Sequence, residues 1–206
     1  MYDLLIFPFG GTAIEALDCL GQDYRCMGFV SDDKDKIGKS YAGVEVFDRE
    51  ALARFPNCKI LAVPGSPSSY LKRENIIYSL NIDRERFARV IHPSAVISEL
   101  ANLGYNTLIG PGVVITSNAR IGNHVCILPN SVVHHDSWVG DYTIIGSNVT
   151  IAGHVVIGSH CYLGSGSNVI NNCSVADQTL IGMGSTVIKS LLTAGKYVGS
   201  PVRKIN

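Results

Sequence analysis

The second half of this sequence carries an aliphatic residue at every sixth position. Sixteen such positions keep one register without an insertion. They are Ile97, Leu103, Ile109, Ile115, Ile121, Ile127, Val133, Val139, Ile145, Ile151, Ile157, Leu163, Val169, Val175, Ile181 and Val187. Neither an α-helix, with about 3.6 residues per turn, nor an ordinary β-sandwich keeps a period of six. A chain that coils through three short strands per turn does, so the spacing predicts a parallel β-helix with eighteen residues per turn.

The residues around each aliphatic position support this prediction. Two places earlier stands a slim residue such as Ala119, Val125 or Ser131. It faces inward with the aliphatic residue because side chains alternate across a strand. One place later glycine recurs, as at Gly140, and the next two positions collect residues that favour turns. The aliphatic positions therefore predict the core and the polar positions predict the corners of the coil.

Residues 1–90 follow a different pattern, in which apolar strands alternate with helices. The predicted elements are strands at 2–7, 26–30 and 59–63, a helix at 13–20, and a helix that starts at a capping Ser68 or Ser69 and ends at residue 80. Strands that alternate with helices indicate a parallel βαβ unit. We therefore predict a small Rossmann-like α/β domain at 1–90 and a β-helix domain with a C-terminal tail at 91–206.

Composition argues against several classes of function. Seventeen Lys and Arg balance seventeen Asp and Glu, and no basic stripe favours nucleic acid. No apolar run approaches the roughly 20 residues of a membrane span. The first residues, from Met1, lack a charged leader, and the six cysteines form no CxxC pair. We therefore expect a cytoplasmic protein that binds neither nucleic acid nor membrane.

Three polar turns follow the predicted strands of the first domain. They are Gly10-Gly11-Thr12, Ser31-Asp32-Asp33 and Gly65-Ser66. Ligands of open α/β sheets bind at the carboxyl ends of the strands. The first turn opens a helix and suits a phosphate, and the acids suit ribose hydroxyls or a base. The sequence contains no full GxGxxG dinucleotide fingerprint, and this argues against a redox cofactor. The turns predict a nucleotide site, with a plain tight turn as the alternative for Gly10-Gly11.

One corner of the coil brings a histidine and a glycine together. In this coil, residues eighteen apart stack with a spacing of roughly 4.8 Å. One corner then reads Ser117, His135, Gly153 and Asn171, and its neighbour reads Asn118, Asp136, His154 and Asn172. Because Val133 faces inward, we expect His135 to project outward into open space beside Gly153, whose amide could receive an oxyanion. Asp136 could orient the imidazole and stabilise its charged form.

Several motifs together point to a known family. They are the first strand with Gly10-Gly11, the pair Asp32-Asp33, Ile91-His92-Pro93-Ser94-Ala95, His135-Asp136-Ser137-Trp138-Val139-Gly140, Gly153, and Gly199-Ser200-Pro201-Val202-Arg203-Lys204-Ile205. With the period of six, they resemble bacterial hexapeptide-repeat acyltransferases of the sialic acid O-acetyltransferase type. The best-understood branch N-acetylates the 4-amino group of nucleotide-linked amino sugars. The left-handedness of the β-helix is implied by this resemblance and not by the spacing.

The resemblance implies an acetyl-CoA-dependent transferase without a metal. His135 would be the general base, supported by Asp136, and the Gly153 amide would stabilise the oxyanion. Acetyl-CoA would lie between two subunits of a homotrimer. The residues implied in binding it are Ser165, Gly182, Met183, Gly184, Lys189 and Arg203. The turns with Gly10, Gly11, Thr12, Asp32, Asp33, Gly65 and Ser66 would hold a nucleotide-sugar acceptor and place its sugar at His135.

The sequence also departs from the family. Many relatives carry histidine where Thr12 stands and glutamate where Asp136 stands, and one branch has histidine in place of Ile144 and glycine in place of Met183. Because Thr12 changes the reach of its side chain, the acceptor stays open. O-acetylation of sialic acid or another sugar hydroxyl is the closest alternative.

Two other classes of function stay open. A zinc-dependent hydratase uses the same coil and needs three histidines that converge between subunits. His124 and His160 share a side but are two coil turns apart, roughly 9.6 Å, and His154 lies on another side. For these three histidines an exposed imidazole without a role is the alternative. A non-catalytic scaffold or sugar-binding protein is the other class.

Outward apolar stripes predict an oligomer. On one side of the coil the stripe is Leu108, Cys126, Ile144, Tyr162 and Leu180, and a second side begins with Val96, Val114 and Val132. Continuous outward apolar residues mark an interface, and a closed trimer fits a three-sided coil. Coverage of the longer stripe by the chain's own first domain is the alternative.

Overall fold

A computed structural model describes residues 1–205 and contains an N-terminal α/β sheet followed by a coil of short strands. The strands of the N-terminal sheet are β1 (Tyr2–Phe7), β2 (Tyr24–Val30), β3 (Ser40–Tyr41), β4 (Val44–Phe47) and β5 (Lys59–Ala62). They lie in the order β3-β4-β2-β1-β5. All pairs are parallel except the β3–β4 hairpin, so the predicted parallel βαβ unit is confirmed.

Short helices connect these strands. They are α1 (Gly11–Glu15), α2 (Ala51–Arg54) and α3 (Arg73–Tyr78), with 3₁₀ segments at Ala16–Cys19, Tyr70–Lys72 and Arg84–Arg86. Each of the two predicted helices is therefore divided into an α part and a 3₁₀ part. The predicted serine cap was wrong, because the hydroxyls of Ser68 and Ser69 each lie 2.9 Å from the hydroxyl of Ser66 instead. The β3–β4 hairpin and α2 were not predicted, since short elements give little periodic signal.

The coil has three sheets of parallel strands, which we call faces one, two and three. Face one comprises β7 (Val96–Ile97), β10 (Val114–Ile115), β13 (Val132–Val133), β16 (Thr150–Ile151), β19 (Asn168–Val169) and β22 (Thr186–Val187). Face two comprises β8 (Asn102–Leu103), β11 (Arg120–Ile121), β14 (Trp138–Val139), β17 (Val156–Ile157) and β20 (Ser174–Val175). Face three comprises β6 (Arg89–Ile91), β9 (Thr107–Ile109), β12 (Cys126–Ile127), β15 (Ile144–Ile145), β18 (Tyr162–Leu163), β21 (Leu180–Ile181), β23 (Lys196–Gly199) and the antiparallel β24 (Val202–Ile205).

The register confirms the predicted parallel β-helix. Val132 pairs with Thr150 and Thr150 pairs with Asn168, so successive partners are eighteen residues apart. The predicted inward residues form one continuous core, in which Ile145 and Val149 are fully buried. Left-handedness remains an expectation from the resemblance.

The polar corners are made by residues with positive φ. Asn118, Asp136, His154 and Asn172, stacked along one corner, have φ of 60°, 58°, 58° and 62°. Few residues other than glycine adopt this left-handed region, and Asn, Asp and His do so most readily. The corner composition that the sequence displays therefore reflects the backbone conformation of each corner.

The longer apolar stripe is covered by the N-terminal part of the same chain. Leu108 and Cys126 on face three belong to one buried cluster with Leu4 and Ile6. Ile144 is also buried. The prediction that this stripe forms a subunit interface was therefore wrong, and the alternative was right. Faces one and two carry exposed apolar residues instead, which include Val96, Trp138 and Val156.

A fully buried arginine joins the N-terminal part to the coil. The Arg73 guanidinium donates to the carbonyl oxygen of Pro64 and, over 2.8 Å and 3.1 Å, to that of His124. No carboxylate pairs with it within residues 1–205.

Gly65 lies against face three with φ +132°, and a Cβ there would stand 2.6 Å from Ile144 Cδ1.

None of the helices in residues 1–205 is long and apolar enough to cross a bilayer.

Candidate active site

His135 lies on the corner that joins face one to face two, between β13 and β14. We call residues 134–137 the histidine corner. The His135 side chain is 50% exposed, so the expectation that it projects outward is confirmed. This corner is opposite face three and thus on the far side of the coil from the N-terminal sheet.

The His135 imidazole is held by the carboxylate next to it. His135 Nδ1 lies 2.8 Å from Asp136 Oδ2, and Asn118 Nδ2 donates to Asp136 Oδ1 over 3.0 Å. The hydrogen bond from His135, followed by that from Asn118, holds the pKa of Asp136 below its usual value of 3.8. Asp136 is therefore ionised at neutral pH and favours a proton on Nδ1, which leaves Nε2 free to accept a proton.

The imidazole lies against Gly153, one coil turn further on. A Cβ on Gly153 would stand 2.8 Å from both Cε1 and Nε2 of His135. The imidazole itself fills the space that the absent side chain of Gly153 leaves. Glycine is needed at position 153 so that the ring can adopt this position.

The backbone amide of Gly153 is available as a hydrogen-bond donor. On the neighbouring corner, side chains cap the equivalent amides: Asn123 N–H and Ser159 N–H each donate over 2.7 Å to an aspartate, Asp141 and Asp177 respectively. Across residues 1–205 the Gly153 N–H donates no backbone–backbone hydrogen bond. An unpaired amide beside a base suits the stabilisation of an oxyanion.

A second histidine adjoins the pair. His154 lies one coil turn beyond Asp136, with Nε2 3.9 Å from Asp136 Oδ2. Its ring is 5.1 Å from that of His135, at an interplanar angle of 87°. An exposed imidazole without a role was the expectation for His154, although its spacing of eighteen residues from Asp136 was the available signal.

A groove on face two opens beside the histidine corner. Its lining includes Asn102, Arg120, Asp136, Trp138 and Val156. The indole of Trp138 is exposed at the groove. Of these residues only Asp136 was predicted as a site residue, because the others fall on outward strand positions that the repeat leaves unconstrained.

The residues predicted to bind acetyl-CoA lie along both edges of face one. Ser165, Gly182, Met183 and Gly184 lie at the corner between faces three and one, and Met183 is 77% exposed. Lys189 instead stands eighteen residues beyond Asn171, in the corner column of His135 and Gly153. Arg203 is exposed on the β23–β24 hairpin. A single chain does not bring these residues together.

The predicted nucleotide turns differ in whether their residues already contact other side chains. Gly10 and Gly11 have open space around them, and Thr12 is partly exposed. The acids are engaged, since Asp32 pairs with Arg49 over 2.8 Å and Asp33 pairs with Lys36 over 3.3 Å.

The third turn lies against face three. The contact between Gly65 and Ile144 explains the glycine by packing, and Ser66 bonds to its own turn. The three turns belong to the N-terminal sheet, so one chain does not bring them to His135.

The histidines considered for a zinc site do not converge. The Tyr142 ring stacks between His124 and His160, with ring centroids 4.6 Å and 5.0 Å away. His124 is buried, and burial followed by the charge of Arg73 lowers its pKa from 6.5 to about 4. Within one chain these residues therefore do not form the three-histidine site of a zinc hydratase.

Comparison with known proteins identifies the fold. Residues 88–154 match the family model of the GMPPB C-terminal domain. No curated protein matches the sequence. A histidine-to-asparagine variant of perosamine N-acetyltransferase from Caulobacter crescentus, in complex with CoA and GDP-perosamine, has a TM-score of 0.88 at 23% identity, with 100% of this chain and 97% of that chain covered.

Two further solved structures are similar over their whole length. The acetyltransferase domain of PglB from Neisseria gonorrhoeae, in complex with acetyl coenzyme A, has a TM-score of 0.86 at 18% identity, with 99% of each chain covered. WeeI from Acinetobacter baumannii has a TM-score of 0.83 at 21% identity, again with 99% of each chain covered. At these identities the likeness establishes that the whole chain shares the fold of these proteins.

Proposed function

We propose that this chain transfers the acetyl group of acetyl-CoA to the amine of a nucleotide-linked amino sugar of the 4-amino-4,6-dideoxy type. The observation that carries the proposal is the exposed His135–Asp136 pair, with the ring against Gly153. It is supported by the full-length likeness to an enzyme bound to CoA and GDP-perosamine. The proposal keeps the expectation of a cytoplasmic protein.

The chemistry follows from the atoms at the histidine corner. As the acceptor nitrogen attacks the thioester carbonyl, His135 Nε2 takes its proton and the carbonyl oxygen becomes an oxyanion. The Gly153 N–H donates to this oxyanion. Collapse of the tetrahedral intermediate breaks the C–S bond, and the imidazolium returns the proton to the CoA thiolate. Ionised Asp136 stabilises the imidazolium in between.

The order of the N-terminal strands supports a nucleotide site. The parallel strands lie as β4-β2-β1-β5, the order of a mononucleotide-binding half of a Rossmann-like sheet. In such sheets the ligand binds where the strand order reverses, here between β1 and β5. The open Gly10-Gly11-Thr12 turn follows β1 at that point, and we assign the phosphates of the acceptor to it.

A homotrimer would complete the site. The nucleotide turns lie beyond face three, whereas His135 stands at the opposite corner. The acetyl-CoA residues are likewise divided between the two edges of face one. We propose that the neighbouring subunit brings its N-terminal turns to His135, and that the interface covers the exposed Val96, Trp138 and Val156. A closed cyclic assembly satisfies every such interface.

The test is a panel of UDP-, dTDP- and GDP-linked 4-amino sugars with acetyl-CoA, followed by thiol release. We expect turnover with at least one of them and its loss in His135→Ala. Turnover of free sialic acid but of no nucleotide sugar would contradict the proposed acceptor and identify an O-acetyltransferase. No acetyl transfer to any acceptor would contradict the enzyme and favour a binding protein.

A further inference from the structure

The histidine corner gathers three metal-ligating side chains. One ligand atom from each of His135, Asp136 and His154 lies within 4.8 Å of the other two. Asp136 Oδ2 is the shared neighbour, 2.8 Å from His135 Nδ1 and 3.9 Å from His154 Nε2. Residues 1–205 hold no second group of this kind. The proposed acetyl transfer uses His135 and Asp136 but gives no role to His154.

We propose that this cluster binds a divalent transition-metal ion such as Zn²⁺, and that the bound ion prevents His135 from acting as a base. The second half of this proposal rests on the proposed acetyl transfer, and the first half does not. The ion would be an inhibitor and not a cofactor of the reaction.

The donor set fits such an ion. Two imidazole nitrogens and one carboxylate oxygen, with water in a fourth position, form the usual open zinc site. Zinc–ligand bonds of about 2.0–2.2 Å in a tetrahedron place the ligand atoms roughly 3.3–3.6 Å apart. The distance from Asp136 Oδ2 to His135 Nδ1, 2.8 Å, is shorter than this range, and the distance to His154 Nε2, 3.9 Å, is longer.

The cluster can close on an ion with small side-chain rotations. The side chains of His135, Asp136 and His154 are 50%, 38% and 56% exposed, so each one is in contact with solvent. Their backbone is fixed by the coil, where His154 N–H donates to the His135 carbonyl oxygen over 3.1 Å. Because the backbone is fixed and each side chain reaches solvent, binding of a metal ion needs no refolding.

The tautomer of His135 explains the inhibition. In the free protein Asp136 favours a proton on Nδ1 and a free Nε2. A metal ion on Nδ1 replaces that proton, and the neutral ring must then carry its proton on Nε2. A protonated Nε2 cannot accept the proton of the acceptor amine. Binding of the ion and base catalysis by His135 therefore exclude each other.

Cobalt binding tests the site without any need for activity. We expect the purified protein to bind one Co²⁺ per chain, with visible d–d absorption that Zn²⁺ abolishes. Because even outer-shell partners contribute about 10–100-fold to metal affinity, loss of the ligand in His154→Ala should weaken binding by at least roughly 10-fold. His92→Ala removes a histidine outside the cluster and should leave binding unchanged. Equal binding by wild type and His154→Ala, or no stoichiometric binding, would overturn the site.

A zinc titration of acetyl transfer tests the inhibition. We expect activity to fall as one Zn²⁺ binds per chain and to return with EDTA. The inhibitory concentration should rise in His154→Ala by the same factor as the Co²⁺ dissociation constant. Stoichiometric Co²⁺ binding without inhibition by Zn²⁺ would overturn the inhibitory role. If no acceptor is acetylated, the proposed function and this role both fail, while the cobalt result still decides the metal site.

Discussion

The imidazole of His135 occupies the space that a side chain at Gly153 would fill. The two residues are eighteen apart in sequence, and a Cβ at position 153 would stand 2.8 Å from Cε1 and Nε2 of the ring. The proposed base and the proposed oxyanion donor thus lie side by side on consecutive coil turns. This contact makes the position of the ring depend on the glycine.

Gly153→Ala should displace the ring without unfolding the coil. The methyl group removes the space that His135 occupies, whereas the exposed corner lets the ring move into solvent. We expect acetyl transfer to fall by about 10²-fold or more, within the range that a positioned base contributes. Asn171→Ala, which changes the same column on the other side of Gly153, is the control. Full activity of Gly153→Ala in the thiol-release assay would contradict the proposed ring position.

His135→Ala should abolish most of the acetyl transfer. Loss of a general base typically costs about 10²–10⁴-fold in rate. Because the side chain is exposed, the melting temperature and the oligomeric state should not change. His134→Ala, at the adjacent position, should keep activity close to wild type. Equal effects of the two substitutions on kcat would contradict the assignment of the base to His135.

Mixed trimers should recover activity from two inactive variants. In the first variant, Gly11→Trp fills the open space at the first nucleotide turn. In the second variant, His135→Ala removes the base. If each site takes His135 from one subunit and the turns from its neighbour, an equal random mixture restores about one quarter of the sites. Thiol release after subunit exchange measures this, with each variant alone as control. No recovery in trimers shown to be mixed would mean that the site does not cross subunits.

Acid should destabilise the protein through His124. Burial lowers its pKa from 6.5 to about 4, so between these values the unfolded chain binds a proton that the folded chain excludes. The free energy of unfolding therefore falls as pH drops through this window, by up to about 1.4 kcal/mol per pH unit and on the order of 3 kcal/mol in total. Urea unfolding at about pH 7 and about pH 4.5 measures the loss. The loss of unfolding free energy should be smaller in His124→Gln. An equal loss in the variant would contradict the assignment of this pH dependence to His124.

Arg73→Met should destabilise the junction between the N-terminal part and the coil. The substitution leaves the buried carbonyl oxygens of Pro64 and His124 without their donor, at a cost of about 1–3 kcal/mol for each. Arg25→Met is the matched control, since its pair with Asp3 is exposed and worth at most about 1 kcal/mol. Denaturant unfolding compares the two variants. A more stable Arg73→Met would mean that desolvation of the guanidinium outweighs its hydrogen bonds.

Much of the candidate site could be predicted from the sequence because the coil has a fixed period. The spacing of eighteen residues placed Gly153 next to His135, and strand alternation turned His135 outward. The same rule placed His154 one coil turn beyond Asp136, but the spacing says nothing about the direction of either side chain. The distance of 3.9 Å between them required coordinates.

The sequence by itself determined the β-helix, its core and its corner columns, because each residue of a repeat meets partners at one constant separation. Only the tertiary structure decided where the N-terminal part docks. It covers face three, buries Arg73 against a carbonyl 51 residues away, and leaves His135 on the opposite corner. Contacts of this kind join a non-repetitive segment to a repetitive one. No sequence period relates the two segments. The pattern therefore could not show whether the outward apolar stripe on face three is covered by the same chain or forms a subunit interface.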